Sequence, residues 1–162
     1  MNKPLKIAFL GLRAIGQVPA ADAPRGATDT AGLNISGVER AVEELSTRLA
    51  APGHDVTVFC RRRYNQRRLT SFQGVRLIDL PAVYTKHFEA ISHTALASLR
   101  VLSGYDIVHY HATGPSLVSF LPRLTGRGVV ATVHGLDWQR EKWRGAAKLI
   151  LRAGAWTAVH FP

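Results

Sequence analysis

The sequence predicts an α/β protein built on a doubly wound, mostly parallel sheet with helices on both faces, and three observations carry that prediction. Short β-branched runs alternate with longer amphipathic stretches along the 162 residues, the order expected when crossover helices join the strands of one sheet. The run Val129 to Val133 is almost free of polar side chains, as suits a strand buried on both faces. It stops abruptly at His134-Gly135, at the kind of carboxyl strand end where open parallel sheets bind ligands. With 46% hydrophobic residues, the chain can bury one good core, so a single domain is expected.

Each element has its own justification. Leu5 to Leu10 reads as a first strand, ended by Gly11. Residues 12–35 are rich in Gly, Ala, Pro and Asp. A loop of that length without structure of its own usually serves a site, so this one is expected to be mobile and to lie near it. From Ser36 onward Val38, Ala41, Val42, Leu45 and Leu49 recur at helical spacing. Ser36 and Glu39 fit a capping box, and Gly37 lets another group come close to the free amides of the first turn, which makes an anion site possible. Gly53 closes the helix, and Asp55 to Cys60 alternates into a second strand. Val75 to Leu80 is a third, whose charges suggest a place nearer the sheet edge.

A helix over about residues 84–102 is expected to face the sheet through Phe88, Ile91, Ala95, Leu96, Leu99 and Leu102. Ile107 to His111 is the next strand. Residues two apart on a strand share a face, so His109 and His111 can look into one cavity. Gly114 and Pro115 start a helix to about Leu124, and Val129 to Val133 returns as a strand. Asp137 can cap a helix over residues 138–153. Residues 156–161 read as a last strand with no helix to cover it, so the chain is expected to be the amino-terminal part of something larger.

The formal charge is +10, which points to an anionic partner. Five arginines lie between Arg61 and Arg68, an electrostatic footprint for phosphate or lipid headgroups. A basic anion-binding module, for nucleic acid or membrane, would use the same charge. The aromatic stacking platform of a nucleic-acid binder is not evident, and no nucleic acid is expected. Another nucleotide-binding protein, such as an oxidoreductase, would use the same sheet, yet the first strand is not followed by G-x-G-x-x-G with its later acidic residue.

No apolar run of about 18 residues and no signal peptide is found, so a cytoplasmic location is expected. Peripheral contact with the inner membrane face would run through the basic stretch 61–68 and the amphipathic segment 86–102. Cys60 is the single cysteine, so an intrachain disulfide or multi-cysteine metal site is impossible. His109 and His111 lack a third ligand at helpful spacing, and no metal is expected.

Several stretches in register carry a family resemblance: Gly11-Leu12-Arg13-Ala14-Ile15; Ser36-Gly37-Val38-Glu39; Gly53 to Arg61; Tyr105 to His111; and Thr132 to Trp138. Together they resemble retaining glycosyltransferases of family 4, and most of all bacterial enzymes of polysaccharide synthesis. The resemblance implies a GT-B architecture of two Rossmann-like domains, with residues 1–162 as the acceptor-side, amino-terminal one, incomplete at its carboxyl end. The donor-binding domain would be absent, and the isolated chain inactive.

By similarity, His134 would hydrogen-bond the transferred sugar near the reacting carbon, and Ser36 and Gly37 would face the donor diphosphate. His109, His111, Arg62, Tyr64, Asn65 and Asp137 would line the acceptor side. The partners implied are a nucleotide-sugar and a glycan or lipid-linked acceptor. The nucleotide-sugar is substrate, and no cofactor or metal is called for. Ser36-Gly37 stands where many relatives carry two adjacent glycines.

Overall fold

The computed structural model describes residues 3–17, 37–85, 88–139 and 145–162. Strands β1 (Lys6–Leu10), β2 (Asp55–Arg61), β3 (Ser71–Phe72), β4 (Val75–Leu80), β5 (Ile107–His111) and β6 (Gly128–Thr132) form one sheet in the order β3-β4-β2-β1-β5-β6. Every pairing is parallel except β3 with β4. The chain enters at the centre, moves outward to β4, then crosses back to β5. The winding therefore reverses between β1 and β5, and the crevice outside their carboxyl ends is where this architecture binds ligands.

Helices α1 (Gly37–Ala50), α2 (Glu89–Arg100), α3 (Thr113–Ser116), α4 (Phe120–Leu124) and α5 (Ala146–His160) complete the fold. Alternation along the strands builds two cores. Ile7, Phe9, Val56, Val58 and Leu77 meet Val42 of α1 on one face. Ala8, Leu10, Phe59, Val108 and Tyr110 meet Ala97 of α2 and Val101 on the other. Each large apolar side chain so buried contributes roughly 1.5–3 kcal/mol. That burial, more than local propensity, holds α1 and α2 in place.

The structure corrects several expectations. Trp156 to Phe161 is not a strand: α5 continues to His160. The run is aromatic and β-branched, but helical spacing places Leu151, Gly154 and Thr157 on one buried side, and the Thr157 hydroxyl donates 2.7 Å to the Ser116 carbonyl. Packing on α3 overrides the local β preference. The helix also starts later than expected, at Ala146, and Asp137–Gln139 forms only a 3-10 turn.

Helix α2 presents a different face from the one its apolar residues suggest. His93, Thr94, Ala97 and Ser98 are buried, while Phe88 and Leu99 are 57% and 60% exposed. Small side chains bring the helix close to the sheet, where the Ser98 and Tyr110 hydroxyls share a 2.7 Å hydrogen bond. The stretch expected as one helix to Leu124 is divided into α3 and α4. The two-residue β3 takes the sheet edge, so β4 sits one place inside it.

Candidate functional site at the carboxyl strand ends

Parallel register carries three histidines to the same end of the sheet. His109 pairs in register with Val130 and His111 with Thr132, and His134 follows two residues later. The His109 and His111 rings lie 4.2 Å apart, centroid to centroid. Phe9 of β1 supports them both, at 5.1 Å and 5.7 Å. His109 Nε2 shares a hydrogen bond of 2.8 Å with the Thr132 hydroxyl. His111 Nδ1 and His134 Nε2 share one of 2.9 Å.

Exposure divides their roles. His111 is 2% exposed and touches the site through His134, whereas His134 is exposed. Burial pushes His109 down to about 4, with His134 adding to the effect. Burial pushes His111 down to about 3, assisted by His109 and His134. Both are therefore neutral near pH 7, and each ring offers one donor and one acceptor.

The backbone around this cluster is tightly set. Gly11 has φ +99°, and a Cβ there would strike the His111 carbonyl and the Pro115 ring. Only glycine lets the end of β1 lie this close to the end of β5. Ala112 has φ +74° and ψ +157°, a conformation that costs a residue with a Cβ about 1–3 kcal/mol. Its amide donates 2.9 Å to the Thr132 carbonyl, which holds the turn beneath the histidines.

A second group of polar side chains adjoins the first at Gly11. The Arg61 guanidinium, inside the supposed basic loop, pairs with Glu89 at 3.0 Å and donates to the Gly11 carbonyl at 3.5 Å. The Arg13 guanidinium lies 5.2 Å from the centre of the Tyr64 ring. Burial raises the Tyr64 hydroxyl, as does its hydrogen bond to Glu89. The Glu39 carboxylate accepts from the Arg13 amide at 3.1 Å, and so ties the first turn of α1 to the end of β1.

The expected site residues fall in different places. His109, His111 and His134 come together, whereas on the loop after β2 Arg62 is exposed and Tyr64 half-buried. Asn65 is 3% exposed. Its amide donates to the Leu69 carbonyl and to Asp79, and its oxygen accepts from Gln17 and the Leu69 amide. These bonds use its whole capacity, so Asn65 holds the loop and does not present itself to an acceptor. Gly37 is the exposed first residue of α1. Ser36, residues 18–35 of the long loop, and the side chain of Asp137 lie outside the described residues.

Glu89 was not singled out from sequence, and Arg13 and Arg61 were named only as parts of longer stretches. Arg13 could have been singled out, since it stands just past a central strand end, whereas the Arg61–Glu89 pair joins elements 28 positions apart and leaves no local trace. Among the described residues no group of three or more His, Cys, Asp or Glu side chains is arranged to hold a metal ion. No described helix is long and apolar enough to cross a membrane.

A family model, that of glycosyltransferase family 4, matches residues 35–160. The match includes Gly37, His109, His111 and His134. No curated protein matches the sequence.

Proposed function

Because the chain belongs to glycosyltransferase family 4, we propose that it forms the acceptor-side domain of a retaining, GT-B sugar transferase. A nucleotide-sugar is the donor, and a bacterial-type glycan or lipid-linked molecule is the acceptor. A second Rossmann-like domain supplies the donor's nucleotide site. The hydrogen-bonded pair His111–His134 at the carboxyl strand ends, inside the stretch matched by the family, is the observation that carries this reading.

The chemistry follows from where charge develops. Departure of a nucleoside diphosphate builds negative charge on phosphate oxygens and positive character at the anomeric carbon. The amides at the start of α1, from Gly37 onward, and nearby cationic side chains can stabilise the phosphate without a resident metal, with Ser36 assigned to the same role by family resemblance. His134, exposed and held from behind, hydrogen-bonds the sugar and orients it, with no part as a nucleophile. His109, Arg62 and Tyr64 face the acceptor, Asp137 is assigned to the same side by family resemblance alone, and Asn65 supports that loop from within.

The basic surface gives the acceptor's surroundings. Arg62, Arg63, Arg67 and Arg68 are exposed. Arg63 lies 5.6 Å from the Tyr84 ring, and Val83, Tyr84 and Phe88 are exposed. A cationic patch with apolar tips suits the cytoplasmic face of an anionic membrane.

Transfer from a panel of labelled nucleotide-sugars to glycan and lipid extracts tests the proposal. The expected product keeps the donor's anomeric configuration. Product of inverted configuration, or no transfer from any donor by the protein with both domains, would refute it.

A further inference from the structure

We propose that His111 is a positioning residue that fixes the tautomer of His134, by donating its Nδ1 hydrogen to His134 Nε2 and so leaving the outward Nδ1 of His134 as a permanent hydrogen-bond donor. The inference rests on the reading above only for what that donor meets, a sugar hydroxyl or phosphate oxygen. The sense of the hydrogen bond stands on the structure alone.

The two nitrogens are 2.9 Å apart, so a single hydrogen lies between them and two arrangements compete. If His134 donates, His111 must carry its own hydrogen on Nε2. That atom is buried and has no hydrogen-bond partner, so an N–H group would be sealed away unsatisfied. If His111 donates, its Nε2 is a bare lone pair. Orphaned buried N–H groups are rarer than under-satisfied acceptors, and the second arrangement is the cheaper one. Burial thereby overrides the modest preference of free imidazole for its Nε2–H form.

The surroundings keep His111 in that state. Its ring is 2% exposed, stacked at 26° and 5.7 Å on Phe9 and 4.2 Å from His109, so it cannot turn over without displacing both. The titratable groups that face it are His109 on its own strand and His134, two residues past the end of β6. His109 is engaged by the Thr132 hydroxyl. A neutral ring held in place by Phe9 and His109 keeps its Nδ1 directed at His134 Nε2. With Nε2 of His134 occupied as an acceptor, the neutral ring must hold its hydrogen on Nδ1.

Imidazole 15N spectra of the ring-labelled protein at pH 7.5 decide the matter. Both His111 and His134 are expected to show a protonated Nδ1 and an unprotonated Nε2. A protonated Nε2 on His134, with a bare Nδ1, would overturn the proposal.

Two variants extend the test. His111→Asn keeps an N–H at nearly the same place and is expected to retain the His134 tautomer and most of the turnover. His111→Leu removes the donor, should shift His134 to its Nε2–H form, and is expected to lower kcat/KM by about tenfold, the scale of one lost hydrogen bond. If His111→Leu fails to fold, His111→Asn still discriminates, because its loss of the His134 Nδ1–H signal would contradict the proposal. A tautomer shift in His111→Leu with unchanged turnover would refute the placement of His134 against the sugar and leave the sense of the hydrogen bond intact.

Discussion

His93 on α2 is fully buried, against the Cys60 backbone and beside the Arg61 cation. Burial, then that cation, pushes it down from 6.5 to about 4. The folded protein therefore keeps it neutral while the unfolded chain takes up a proton below 6.5. Its contribution to stability is complete above that value and is lost as the pH falls toward 4, on the order of 3 kcal/mol in all. His109 and His111 act in the same sense. Urea unfolding across this range should show stability falling toward acid, with the slope reduced by about one proton in His93→Leu. An identical slope in the variant would contradict the assignment. The position of the three histidines at strand ends was legible in sequence because strand ends can be read from hydrophobic runs. The division of the arginine run was not: Arg61 is buried and paired while Arg62 is exposed, and nothing in five similar side chains announces which one turns inward.

At the level of elements, the strands that build the sheet were readable from alternation and β-branching, except the two-residue β3, too short to carry a period. The helices were less so. Helix α2 packs by His93, Ala97 and Ser98 instead of its larger apolar residues, because closeness to the sheet was the stronger requirement. Helix α5 gives a sharper case, since its tail looks like a strand until Gly154 is seen against α3. A Cβ at Gly154 would meet the Thr113 carbonyl. Alanine is favoured over glycine inside a helix by about 1 kcal/mol, but forcing atoms into a packed contact costs about 1–3 kcal/mol. Gly154→Ala is therefore expected to lower the melting temperature. A raised melting temperature would show that α5 and α3 are not so closely opposed.

Across the whole molecule, a doubly wound sheet puts its reversal point, its histidines and the strained turn at Ala112 at the same end, while the exposed arginines lie at the neighbouring strand end. Charge near an anionic bilayer is worth roughly 1 kcal/mol per basic residue and fades within about 10 Å at 0.1 M salt. Sedimentation with vesicles containing phosphatidylserine should therefore capture the protein at low salt and release it at high salt. Arg62→Glu with Arg63→Glu should weaken that binding, and equal binding to neutral vesicles would contradict it. The fold class was visible in the sequence, yet the support beneath His134 was not, because it depends on register between β5 and β6. The most direct measurement is turnover and melting temperature of His134→Ala in the protein carrying both proposed domains. An exposed side chain has little packing to lose, whereas removing one preorganised donor from a transition state costs about 3 kcal/mol, or roughly a hundredfold in rate. The result expected is that loss of turnover with an unchanged melting temperature. Unimpaired turnover with a markedly lower melting temperature would show that His134 serves the fold and not the reaction.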